Sequence, residues 1–157
     1  MKIKLLAIGK TDDKELQSLI DRYEQRLKHY IQFELEVIPD LKKAKHLSEK
    51  EQKQREGALI LKNTTPGDQL ILLDEKGHQF RSIEFSRFLQ KKLNAGIKQL
   101  VFVIGGPYGF SEEVYQKAQG KVALSKMTFS HQMIRLFFVE QLYRAFTILK
   151  NEPYHHE

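Results

Sequence analysis

The chain has 157 residues, 41% of them hydrophobic, enough for one domain with a sizeable core. It carries no cysteine, which excludes disulfides, thiolate nucleophiles and thiolate metal ligands and suits a reducing compartment. The formal net charge of +6 favours a polyanionic partner such as nucleic acid, although charge alone speaks of encounter and not of chemistry.

The opening "MKIKLLAIGKTDD" turns acidic too soon after a short apolar run for a secretory signal, and no apolar stretch reaches membrane-spanning length. A cytoplasmic protein is expected. "IKLLAI" (3–8) has strand length and composition. Leu16, Leu19, Ile20, Tyr23, Leu27 and Tyr30 then recur at helical spacing and predict an amphipathic helix from 12 to about 30. A second strand, "FELEVI" (33–38), leads into the lysine-rich "LKKAKHLSEKEQKQR" (41–55). That segment reads either as a solvated face or as an arm for phosphates, with Lys42, Lys43 and Lys45 the residues to test. Ser48 and Glu51 have capping-box spacing, which opens a helix at 48 running through 61.

"QLILLD" (69–74) is the third strand. Phe85, Phe88, Leu89 and Leu93 mark a helix over 83–95 that stops before Gly96. "QLVFVI" (99–104) is the fourth strand; a short helix from Ser111 to near Gly120 precedes the fifth, "KVALS" (121–125). Strands alternating with helices predict an α/β fold, a mostly parallel sheet covered by helices, with no internal repeat and no linker to divide it.

Directly after the fourth strand, "GGPYG" places Gly105, Gly106, Pro107 and Gly109 where an open parallel sheet binds ligands. The stretch lacks the Lys-Ser/Thr of a P-loop and the G-x-G-x-x-G spacing, so a nucleotide-phosphate cradle is disfavoured. A rigid loop shaped for a flat or apolar ligand remains, beside the plain alternative of a tight turn. The C-terminal helix begins with Ser130 as N-cap and runs about five turns. It puts His131 and Arg135 near one side and Glu140, Arg144 and Thr147 roughly opposite, with almost everything else apolar. A helix so apolar on all sides predicts packing against a second copy, with Phe137, Phe138 and Leu142 as core or interface.

"FVIGGPYGFS", "LSKMTFSHQMIRLFFVEQLYRAFTIL" and the terminal "PYHHE" resemble the RlmH (YbeA) methyltransferases of the SPOUT superfamily, and the resemblance covers the whole chain. It implies one domain over 1–157, a homodimer, and a C-terminal trefoil knot whose cofactor-binding part spans roughly 70–157. It also implies S-adenosylmethionine-dependent methylation of N3 of pseudouridine 1915 in helix 69 of 23S ribosomal RNA, with the large subunit or the assembled ribosome as partner. By position, Leu73, Gly106 and the segment Ser125, Lys126, Met127, Thr128, Phe129 and Ser130 match the family's cofactor contacts, with Gly105 and Leu124 beside them. On that reading the bare backbone of the glycine loop admits the adenosyl group.

The resemblance further implies a role for the tail, Pro153, Tyr154 and His155, in substrate methylation. A sulfonium donor is already activated, so no metal is expected, and the imide nitrogen needs a base or an anion-stabilising group. His131 is the first candidate base and Arg135 a candidate anion stabiliser or phosphate ligand. Tyr154 is a candidate stacking platform for an unstacked base, while Glu140 and Arg144 read as a structural ion pair. A methyltransferase for another RNA such as transfer RNA, and a non-catalytic RNA-binding protein, are the alternatives.

Overall fold

Strict alternation along the strands gives the sheet two apolar faces. In the computed structural model, which describes residues 1–156, β1 (Lys2–Ile8) turns Ile3, Leu5 and Ala7 to one face and Leu6 and Ile8 to the other. β4 (Gln99–Ile104) does the same with Leu100, Phe102 and Ile104 against Val101 and Val103. These strands lie centrally in a five-stranded, wholly parallel sheet of order β2-β1-β4-β3-β5, where β2 is Gln32–Ile38, β3 Gln69–Gln79 and β5 Gly120–Ala123.

Helices α1 (Lys14–Leu27), α3 (Ser82–Asn94) and α5 (Met133–Leu149) cover the first face; α2 (Glu49–Lys62) and α4 (Glu112–Lys117) cover the second. Connections running one way across the sheet use one face and those running back use the other, as a single crossover hand demands. The first face centres on Phe102, which meets Phe138 of α5 with ring centroids 4.7 Å apart, and Phe85 of α3 completes the aromatic cluster. Each fully buried side chain of this kind contributes roughly 1.5–3 kcal/mol.

Local signals place the helix starts. Asp13 caps α1 by accepting from the backbone N–H of Glu15 and Leu16, so the helix begins at Lys14, two residues later than the expected start. The Ser48–Glu51 capping box forms in both directions. Ser111 caps α4, which ends at Lys117 because Gly120 already belongs to β5. Ser130 Oγ accepts from Met133 N at 3.1 Å, so it caps as expected, although regular helix begins only at Met133.

β3 departs most from expectation. It continues past Asp74 to Gln79, and both Leu73 and His78 pair with Val122, so the chain between them leaves the ladder and returns. Gly77 allows the return: a Cβ there would lie 2.6 Å from the backbone N of Val122. Helix α5 buries Phe138, Val139, Leu142, Ala145 and Phe146 against α1, α3 and the sheet but leaves Phe137 41% exposed, so one chain covers most of the helix and not all of it. Glu157, the last residue of the terminal motif, lies outside the described residues.

Candidate functional site

Parallel strands bring every βα loop to one edge, and at that edge the ends of β3, β4 and β5 enclose a cleft of about 680 Å³. This is within the usual range for small-molecule sites, about 300–1,000 Å³. Its apolar lining comes from strand ends and the start of α5: Leu73, Ile104, Val122, Leu124 and Ile134. One rim is the loop Gly105–Phe110 and the other is Ser125, Met127, Thr128, Phe129, Ser130 and His131. Thus Leu73, Gly105, Gly106, Leu124, Ser125, Met127, Thr128, Phe129, Ser130 and His131, widely separated in sequence, meet around one space. Lys126 is the exception in its segment: it is exposed and does not line the cleft.

Each rim is held internally. Gly109 adopts φ of 80°, Gly109 N donates to Gly106 O at 3.1 Å, and Pro107 sits at the exposed tip between them. Opposite, Ser125 Oγ accepts from Met127 N at 3.0 Å while the Met127 side chain is 76% exposed. The expected reason for the glycines needs correction. A Cβ on Gly106 would meet Glu56 Oε2 at 2.2 Å, and one on Gly105 would meet the Phe110 ring at 3.1 Å. Protein already occupies the space behind Gly106 and crowds that behind Gly105, so the fold itself favours bare backbone there, most strongly at Gly106.

Several lining residues were not singled out from the sequence. Asp74, the last residue of the expected third strand, accepts from Tyr115 Oη at 2.6 Å and from Lys76 N at 2.8 Å. Burial and the Asp74 carboxylate push the Tyr115 phenol well above its ordinary pKa, so it stays a donor. Lys53 of α2 also lines the cleft. The position of Asp74 at a strand's C-terminal end was a usable signal; Tyr115, in mid-helix, gave none.

Arg135 does not line the cleft. It is fully buried, and its guanidinium donates to Ile8 O at 2.8 Å, Thr11 Oγ1 at 2.9 Å and His131 O at 3.0 Å. Desolvation lowers its pKa, and the nearby Asp40 and Asp12 oppose that shift. It ties the start of α5 to the end of β1. His131, by contrast, is exposed on the rim.

The tail does not line the cleft of its own chain. Tyr154 packs edge-on to Tyr143, lies under the Arg144 guanidinium and donates to Glu140 Oε1 at 3.0 Å. His155 Nδ1 is 3.4 Å from Arg144 Nη1, and Glu140 and Arg144 form the expected i, i+4 ion pair at 2.8 Å. Burial and its hydroxyl partners hold the Tyr154 pKa well above the ordinary phenol value. Pro153 is exposed. No group of His, Asp and Glu among the described residues is placed to hold a metal.

A family model described as "Predicted SPOUT methyltransferase" matches residues 1–155. The chain is 68% identical to the ribosomal RNA large subunit methyltransferase H of Flavobacterium johnsoniae over 157 residues, covering the whole of both. It is 63% identical to the protein of that name from Parabacteroides distasonis, again over the full length of both. Among solved structures, a probable methylase family protein from Haemophilus influenzae superposes with a TM-score of 0.51 at 15% identity, over 95% of this chain and 66% of that one. That likeness supports the fold. The parallel five-stranded sheet, the cleft at its C-terminal edge and these matches together show that the chain belongs to the SPOUT methyltransferases, in the ribosomal RNA large subunit methyltransferase H family.

Proposed function

We propose that the protein methylates N3 of pseudouridine 1915 in helix 69 of 23S ribosomal RNA, from S-adenosylmethionine, as a cytoplasmic homodimer acting on the assembled ribosome. One observation carries the reading: the segments around Leu73, Gly106 and Ser125–Ser130 converge on a single cleft, in a chain whose 68%-identical relative bears an rRNA methyltransferase name. A non-catalytic RNA-binding role is set aside by membership of an enzyme family. The site's chemistry suits the donor, since apolar strand ends form the floor and loop backbone and hydroxyls form the rims.

When bound, S-adenosylmethionine supplies a methyl group already activated by its sulfonium. The chain's own residues do the rest. Leu73, Leu124 and the two rims orient the donor and exclude water, with Lys126 acting from outside the cleft. His131, on the rim, accepts the N3 proton as the nitrogen becomes nucleophilic. Tyr154 and His155, placed away from their own chain's cleft, serve the cleft of the second subunit, and Phe137 lies on the face between subunits. The domain is 1–157, with the knot and the donor site within about 70–157.

Lys42, Lys43 and Lys45 belong to the loop between β2 and α2, at the same sheet edge as the cleft, and all three are exposed. With Lys53 they bind the phosphates of the incoming RNA. The test is transfer of labelled methyl to ribosomes lacking the modification, to an isolated helix 69 hairpin and to transfer RNA, followed by nucleoside analysis. Labelled 3-methylpseudouridine from ribosomes alone is expected. Efficient labelling of the hairpin overturns the ribosome requirement, and labelling of transfer RNA alone overturns the substrate.

A further inference from the structure

Glu56 is a buried acid without an evident structural purpose. It sits on α2 at 3% exposure; Oε1 accepts from Gln52 Nε2 at 2.9 Å, while Oε2 has no hydrogen-bond partner. It forms no ion pair among the described residues. The other fully enclosed charge, Arg135, spends its donors on three acceptors, so the contrast is between a satisfied group and an unsatisfied one. Leaving a carboxylate half-satisfied in the interior costs stability, and such groups persist where they act on something.

The carboxyl faces the cleft wall through a gap only glycine can leave. Built on Gly106, a Cβ would lie 2.2 Å from Oε2 and 2.7 Å from both Cδ and Oε1. Gly106 itself lines the cleft, so one residue's backbone separates the carboxyl from whatever the cleft holds. Water, which would screen the charge, is kept from the carboxyl by its burial. The titratable neighbour that acts on Glu56 is Asp40, from the loop before α2, and it reinforces the negative potential. Lys53, one turn earlier on the same helix, lies at the cleft's edge.

We propose that Glu56 is the residue by which the cleft favours a cationic methyl donor over its neutral product, its charge acting through Gly106 on the sulfonium. The inference rests on the S-adenosylmethionine reading above. S-adenosylmethionine and S-adenosylhomocysteine differ by a methyl group and the positive charge at sulfur, so a charge behind the wall distinguishes them where shape does little. Favouring the donor also speeds exchange of product for substrate after each turnover.

The test measures dissociation constants of both compounds by calorimetry for wild type and Glu56→Gln, which keeps shape and removes charge. The expected result is a roughly tenfold weaker S-adenosylmethionine affinity in the variant, with S-adenosylhomocysteine changed less than about twofold. Retained S-adenosylhomocysteine binding also demonstrates that the variant folds. Equal loss of both ligands in a variant that still melts cooperatively, or no change in either, overturns the inference while leaving the cofactor reading intact. Failure of wild type to bind either compound overturns the cofactor reading and the inference with it.

Discussion

Replacing Gly106 with alanine sets a methyl group against a buried carboxyl. The new Cβ would lie 2.2 Å from Glu56 Oε2, where ordinary contact begins at 3.4 Å, so the carboxyl or the loop must retreat by roughly an ångström. Glu56 is enclosed and held by Gln52, and the retreat therefore disturbs packing between α2 and the loop. Overpacking of this kind costs about 1–3 kcal/mol. The chain has no tryptophan, so urea unfolding is followed by far-UV circular dichroism. With a urea slope of about 2 kcal/mol/M, the midpoint falls by roughly 0.5–1.5 M. In a Glu56→Ala background the colliding atoms are gone, and the same substitution costs less than about 0.5 kcal/mol. A cost for Gly106→Ala that is unchanged by removal of Glu56 would refute the reasoning, because the clash would then lie elsewhere.

Gly57→Ala places a Cβ 2.3 Å from Ser111 Oγ, the cap of α4; the helix-propensity gain of about 1 kcal/mol is outweighed, and thermal melting shows a net loss. Arg135→Met leaves Ile8 O without its charged donor and frees the start of α5, costing about 3 kcal/mol by denaturation, whereas a loss under about 1 kcal/mol would contradict its anchoring role. The Glu56 pKa is raised by burial, so the native state holds its proton to higher pH than the unfolded chain does. Stability from this group is present at low pH and falls as pH rises from about 4.5 through the native pKa. Glu56→Gln is therefore more stable than wild type at neutral pH, and the gain vanishes near pH 4. His155→Ala lowers transfer at least tenfold with donor affinity unchanged; mixing it with a cleft-defective variant restores roughly a quarter of the activity, through mixed dimers in which one tail serves the other's cleft.

The sheet was readable because β1, β4 and the first half of β3 are short apolar runs, and alternation decides which side each residue faces. The capping box at Ser48, the helix start at Ser111 and the N-cap at Ser130 were equally local signals. The strand order, the return of β3 at His78 and the enclosure of Arg135 depend on partners far away in sequence, which periodicity does not encode. Helical projection put Arg135 beside His131, but regular helix begins only at Met133 and His131 lies in the turn before it, so one side chain is buried and the other exposed. Glu56 follows directly on the polar run 41–55, and its approach to Gly106, fifty residues on, is visible only in the fold.

The most direct measurement is a titration of the isotopically labelled protein with S-adenosylmethionine, followed by amide chemical shifts. Shifts concentrated at Leu73–Asp74, Gly105–Gly109 and Leu124–Ser130 are predicted, with the amides along the β2 edge unmoved. Saturable binding whose shifts fall away from these three segments would contradict the assignment of the cleft as the methyl-donor site.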